Sequence, residues 1–226
     1  LNVKICLKLC LPVIFSYIPL GMSFGILASS NDFSMLEVIC ISFFVYSGSA
    51  EFLLITFITA KQGLLSIFVT LFLLGFRHFF YTLSLLERLK GLNFLRHYVI
   101  FTLSDESFAL LSTNEKGFES VQDKNKKSLY YALLCFINQA SWVLGGILGV
   151  LVQKMMKFDY KGIEFCLIAL FIVLSYDAFK LNPNKKVFIL AAMIGICGFL
   201  FIAKAYMLFI CLTFALILLV LGKRYV

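Results

Sequence analysis

Charge is what this chain most conspicuously lacks. Only 14% of its residues are charged, and Asp and Glu together number 12 against 20 Lys and Arg. Soluble domains carry about 25% charged residues, so an ordinary soluble fold is excluded. The seven cysteines (Cys6, Cys10, Cys40, Cys135, Cys166, Cys197 and Cys211) are scattered, mostly through apolar runs. No CxxC or Cys/His spacing marks a metal site, and such cysteines act as small hydrophobes. HExxH, a Walker loop and a dinucleotide fingerprint are also missing, so neither cofactor nor metal is implied. The residue-by-residue alternation of a transmembrane β-barrel is absent, as is any visible internal repeat. No cleavable signal is evident: the first apolar run contains Pro12 and Pro19 and reads as a span. The chain opens on Leu1, as expected where a true start is missing or mistranslated.

What fills the chain is hydrocarbon. Of 226 residues, 62% are hydrophobic, and the mean hydropathy is +0.98. Nearly every stretch between polar clusters is apolar for about 20 residues, the length a helix needs to cross a bilayer. The expected fold is a single all-α permease domain over residues 1–226, a polytopic helical membrane bundle of about seven to eight hydrophobic segments, some broken or re-entrant. The net charge of +8 does not point to nucleic acid. Lys4, Lys8, Lys61, Lys185, Lys186 and Lys223 stand beside spans, where they fix orientation against anionic lipid.

Spans are expected at about Leu9–Ala28, Met35–Thr59, Leu64–Leu86, Tyr98–Leu111, Leu129–Val152, Gly162–Phe179, Val187–Ala203 and Ala205–Leu221. The first has a proline kink at Pro19 followed by Gly21-xxx-Gly25, and the fifth has the row Ser141-xxx-Gly145-xxx-Gly149. Both spacings let a neighbouring helix approach closely, so these residues read as packing positions. The fourth segment is short and carries Ser104, Asp105, Glu106 and Ser107 in its middle, so it reads as re-entrant or shielded. Residues 112–128 form the longest polar loop. With eight crossings and the N-terminus inside, the basic 86–97 loop falls outside, against the positive-inside rule. One early re-entrant segment removes that conflict.

The second span holds the most unusual stretch, Tyr46-Ser47-Gly48-Ser49-Ala50-Glu51. A carboxylate at membrane depth costs roughly 2.5–3.5 kcal/mol on insertion scales and usually faces a cavity or a partner. Gly48 is the natural place for the helix to break, and broken backbone is tolerated only where protein, water or ligand meets it. Tyr46, Ser47, Gly48, Ser49 and Glu51 are therefore the expected substrate or ion site. Arg77, His78 and Tyr81 form a second cluster, Asp105 and Glu106 a third, and Asp177 a weaker fourth. Charge pairing joins Arg77 to Glu51, Asp105 or Glu106, unless Arg77 and His78 snorkel to the interface. Glu51 is a candidate proton carrier or a structural glutamate, and His78 a proton carrier or a hydrogen-bonder. A serine nucleophile at Ser47 or Ser49 with His78 as base is an enzyme reading that no spacing singles out, so no catalytic residue is assigned. A channel or structural subunit is the remaining alternative.

These clusters carry a resemblance. Pro19-Leu20-Gly21-Met22-Ser23-Phe24-Gly25, Tyr46 to Phe52, Arg77-His78-Phe79-Phe80-Tyr81, Asp105 to Leu110, Ser141 to Gly146, and Leu170 to Leu174 with Asp177 together resemble the AzlC family, the large subunit of branched-chain amino acid exporters. The ordered set covers roughly residues 12 to 180. The resemblance implies a bacterial inner-membrane permease that exports leucine, isoleucine and valine, often methionine too, working with a small hydrophobic AzlD-type membrane subunit; with Glu51 as proton carrier it would be a proton-coupled secondary transporter. Two positions depart from the family pattern: Glu51 stands where glutamine is usual, and Gly75 where asparagine is common.

Overall fold

The computed structural model describes residues 3–113, 123–156, 164–181, 183–202 and scattered positions between 207 and 218. Ordered along the chain are α1 (Val3–Ser30), α2 (Met35–Phe44), α3 (Gly48–Thr59), α4 (Leu64–Ser84) and α5 (Leu86–Lys90). There follow α6 (Arg96–Phe101), α7 (Asp105–Thr113), α8 (Lys124–Met156), α9 (Glu164–Leu181) and α10 (Lys185–Phe201). Among the described residues there is no strand. Helices α1, α4 and α8 are each long and apolar enough to cross a membrane. Their outward side chains are large and apolar: Phe15 is 72% exposed, Leu64 85% and Phe68 67%. Such a surface suits hydrocarbon, in which every backbone polar group must be satisfied within the protein. The chain is an all-α membrane protein.

Local chemistry sets the helix ends. Between α1 and α2 the chain turns at Asp32, whose φ is 65°, while Asn31 Nδ2 donates to the Leu27 carbonyl at 2.8 Å. Ser34 and Glu37 then form a reciprocal capping box. The Glu37 amide donates to Ser34 Oγ at 3.3 Å, and the Ser34 amide to Glu37 Oε2 at 2.7 Å. The α10 start is held similarly by Asn184, whose side-chain oxygen accepts from the amides of Lys186 and Val187.

The two longest helices, α1 and α8, form the seam that organises the bundle. A Cβ on Gly21 would lie 2.7 Å from the Trp142 carbonyl oxygen, and one on Gly145 would lie 2.7 Å from the Ile18 carbonyl oxygen. Gly25 stands against the backbone of Gly146, and Gly149 against that of Met22. The two rows of small residues therefore meet each other, backbone on backbone. Ser141, in the same row, turns its hydroxyl back to its own helix at the Ile137 carbonyl, 2.7 Å away. Apolar packing continues on both sides of the seam. One cluster includes Val13, Phe24, Val38, Phe52 and Val150, the other Leu89, Val99, Leu111, Tyr131 and Leu134.

Several boundaries differ from those expected. The stretch Met35–Thr59 is not one span but two helices, α2 and α3, interrupted at residues 45–47. The short segment Tyr98–Leu111 is likewise two helices, α6 and α7, interrupted at 102–104. The basic 86–97 stretch contains α5 and the start of α6, and α8 begins at Lys124 rather than Leu129. Residues 112–113 and 124–128 of the expected polar loop are therefore helical, while 114–122 lie outside the described residues. Most of the last expected span, Ala205–Leu221, also lies outside them.

Candidate functional site

The two interruptions come together on α8, whose polar side chains hold both. At the first, Tyr46 takes a positive φ of 38° and Ser47 is extended. The break so formed exposes the Phe43 carbonyl, which accepts a hydrogen bond from Gln139 Nε2 at 3.1 Å. Gln139 Oε1 in turn accepts from the Tyr98 hydroxyl at 2.8 Å, tying α6 to the same residue. At the second interruption the Ser107 amide donates to Ser104 Oγ at 3.1 Å. Asn138 Nδ2 donates to Ser107 Oγ at 3.0 Å. Asn138, Gln139 and Trp142 are spaced to share one side of α8.

Glu51 belongs to this scaffold. It is fully buried, in the first turn of α3. Trp142 Nε1 donates to its two oxygens at 3.0 and 2.9 Å. The Ser47 amide donates to Oε1 at 3.2 Å, and the Ser42 hydroxyl to Oε2 at 3.2 Å. The carboxyl thus joins α2, the break, α3 and α8. It is not among the residues that line the cavity beside it, although the sequence places it in the substrate site. Gly48 also has a different part from the one expected. The positive φ falls on Tyr46, while Gly48 begins α3, where a Cβ would meet the Trp142 ring at 2.9 Å. Gly48 is small so that the indole can lie against it.

In front of that ring is a small, open-mouthed cavity of about 40 Å³. Tyr17 and Leu20 of α1 line it, with Tyr46 to Ser49 at the first break, Arg77 and His78 of α4, Ser104 to Glu106 at the second, and Trp142. Of the three carboxylates weighed for Arg77, the one it pairs with is Asp105, at 3.1 Å from Nη2 to Oδ2. The same Nη2 donates to Ser49 Oγ at 3.3 Å. Arg77 is thus a paired cavity residue, 28% exposed. The Tyr17 hydroxyl donates to Glu106 Oε2 and lies 2.9 Å from Ser104 Oγ. His78 Nδ1 lies 3.0 Å from the Gly75 carbonyl, one turn back in its own helix. Among the described residues neither Ser47 nor Ser49 hydrogen-bonds His78, so the serine–histidine pair of the enzyme reading is not assembled. Asp177 lies in α9, with its side chain outside the described residues.

Four buried polar atoms around this cavity have no hydrogen-bond partner: Tyr46 Oη, Ser47 Oγ, Arg77 Nε and Asp105 Oδ1. A buried polar group left unsatisfied costs about 1–3 kcal/mol, so a cluster of them points to something polar that comes and goes. Sequence reasoning reached the lining at Tyr46–Ser49, Arg77, His78, Asp105 and Glu106. It missed Tyr17, and it did not connect Asn138, Gln139 and Trp142 of the fifth expected span to the breaks. Their polarity on an apolar helix, at a spacing that shares one side, was the available signal.

A polar cavity between interrupted helices in an apolar bundle is the arrangement of a membrane transport protein. Residues 12–156 match the AzlC protein family, and the chain belongs to that family. It is similar to the branched-chain amino acid transport protein AzlC of Bacillus subtilis strain 168, with 31% identity over 73% of this chain and 63% of the relative. It is also similar to an uncharacterised membrane protein of Helicobacter pylori strain J99, with 28% identity over 94% of this chain and 91% of the relative. A third relative is the inner membrane protein YgaZ of Escherichia coli K12, with 27% identity over 82% and 76% of the two chains. No solved structure matches the chain.

Proposed function

We infer that this protein is a multi-pass permease of the bacterial inner membrane that exports the branched-chain amino acids leucine, isoleucine and valine, and methionine besides. The observation that carries the reading is the cavity between the two broken helices, with its unpartnered hydroxyls, guanidinium nitrogen and carboxylate oxygen. Both signs of charge meet there, at Arg77 and Asp105, as a zwitterion requires. Leu20 and the Trp142 ring give the same cavity an apolar wall for an aliphatic side chain. One methylene in such a site is worth only about 1–3 kcal/mol, so the four substrates would be separated by modest factors. The printed name of the Bacillus subtilis relative supports the substrate class.

Transport is proton-coupled in this reading, with protons entering as substrate leaves. The carboxyls suited to that role are those that reach the cavity, Glu106 beside Tyr17 and Asp105 beside Arg77. Glu51, behind the indole, acts instead on the shape of the site. The chain works with a small hydrophobic AzlD-type subunit, the partner that the family resemblance implies. The test is efflux of radiolabelled leucine from loaded proteoliposomes holding this chain with and without that subunit. Acidifying the outside should accelerate efflux, and removing the subunit should abolish it. Efflux indifferent to the gradient would overturn proton coupling, and efflux undiminished without the subunit would overturn the two-component assembly.

A further inference from the structure

We propose that the cavity receives its ligand by both ends of an α-amino acid backbone, the ammonium at Asp105 and the carboxylate at Ser47, Tyr46 and Arg77. This rests on the amino acid reading above and adds to it a binding pose.

The argument is an inventory of what is left unpaired. Asp105 spends Oδ2 on Arg77, while Oδ1 is buried without a hydrogen bond. It is the one buried carboxylate oxygen left without a partner among the cavity's described residues, and a carboxylate can only accept. A ligand group placed there must therefore donate, and an ammonium donates three times. The other three unpartnered atoms are the Arg77 Nε, which only donates, and two hydroxyls, which can. Tyr46 is 7% exposed, so its hydroxyl is held at the cavity with no solvent to satisfy it. The neighbouring Ser104 oxygen is already engaged by Tyr17 and by the Ser107 amide. Ser47 begins α3 without using its side chain as a cap, so its hydroxyl is free for a ligand. The first amides of α3 add positive potential at the same place. Three groups that can donate and one that can only accept match a carboxylate and an ammonium.

Arg77 also fixes the spacing of the two ends. Its Nη2 lies between Asp105 Oδ2 and Ser49 Oγ, bridging the second break to the first helix turn of α3. Tyr81, one turn further along α4, also stands beside Asp105. A ligand that approaches Asp105 Oδ1 need not break the pair to bind.

Trp142 supplies the readout, because it is the sole tryptophan of the chain and it lines the cavity. The experiment titrates the purified full chain in lipid nanodiscs with leucine, leucinamide and 4-methylpentanoate, following indole fluorescence. Leucinamide lacks the carboxylate, and 4-methylpentanoate lacks the ammonium. Each should bind at least about tenfold more weakly than leucine, the effect of losing one charge-assisted hydrogen-bonded end. Asp105→Asn should weaken leucine and leucinamide and leave 4-methylpentanoate unchanged. Ser47→Ala, which removes no charge and keeps the fold testable if Asp105→Asn misfolds, should weaken leucine and 4-methylpentanoate and leave leucinamide unchanged. Equal binding of all three ligands, or Ser47→Ala weakening all three alike or none of them, would overturn the pose. If leucine leaves the fluorescence unchanged, leucine counterflow in proteoliposomes separates the cases. Counterflow intact overturns the pose alone, and counterflow absent overturns the amino acid reading beneath it.

Discussion

Replacing Glu51 separates a structural carboxyl from a transporting one. Glutamine is nearly the same shape, and its one oxygen can accept from both Trp142 Nε1 and the Ser47 amide. Its amide nitrogen can donate to Ser42 Oγ, which now stands 3.2 Å from Glu51 Oε2. Glu51→Gln therefore keeps the joint between α2, the break and α8, and should change stability by no more than about 1 kcal/mol, one neutral hydrogen bond's worth. Glu51→Leu fills similar space but leaves Trp142 Nε1 and the Ser47 amide without an acceptor, while the third donor, the Ser42 hydroxyl, can turn to a carbonyl of its own helix. Each orphaned donor costs about 1–3 kcal/mol, so the pair comes to about 2–6 kcal/mol. The low end is favoured because the Ser47 amide is only partly buried. Against a total stability of about 5–15 kcal/mol that loss is large. The assay is denaturant unfolding of the purified protein, with Trp142 emission as the probe. Glu51→Gln should unfold with the wild type and Glu51→Leu well before it. If the two variants unfold together, whether early or late, the role given to these hydrogen bonds is refuted. Transport by Glu51→Gln should also keep its pH dependence; losing it would return Glu51 to the proton path.

Other substitutions probe the seam and the breaks. Gly145→Val places a side chain against the Ile18 carbonyl and Gly21 Cα, both backbone atoms that cannot swing away. It should lower stability by about 1–3 kcal/mol or more, whereas Gly75→Ala meets nothing within 4 Å and should be neutral or gain up to about 1 kcal/mol. Thermal unfolding of the pair tests both signs at once. Gln139→Leu strands the Phe43 carbonyl and the Tyr98 hydroxyl, and should cost about 2 kcal/mol or more and raise amide exchange at residues 43–47. Arg77→Gln removes both the partner of Asp105 and a cavity donor, and should cut leucine transport at least about tenfold with the protein still folded and inserted.

The sequence announced its polar positions because hydrocarbon makes them conspicuous. A run such as Tyr46 to Glu51, or Asp105-Glu106 in a short apolar segment, is costly at membrane depth and so marks a partner or a cavity. The same logic marked the rows Gly21-xxx-Gly25 and Ser141-xxx-Gly145-xxx-Gly149, which the structure places against each other. Partner choice was not legible. Arg77 had three carboxylates within plausible reach, and only the meeting of α4 with the start of α7 selects Asp105. Nor was the direction in which Glu51 faces. Local spacing cannot tell which side of α3 meets an indole donated by a helix ninety-one residues on. The break was displaced for a related reason. Glycine reads as the point of conformational freedom, but Gly48 answers to the Trp142 ring, and the strained backbone falls on Tyr46. Scattered polar residues on α8 were read singly because nothing in the chain's order says that two interrupted helices will both turn toward that helix.

The claim on which the rest depends is that the cavity between the breaks carries the transported amino acid. Leucine counterflow into proteoliposomes, comparing wild type, Glu51→Gln and Arg77→Gln in the presence of the small subunit, tests it most directly. The account predicts counterflow in the wild type and in Glu51→Gln, and its loss in Arg77→Gln. Counterflow that survives Arg77→Gln undiminished, or leucine that moves through none of the three, would contradict it.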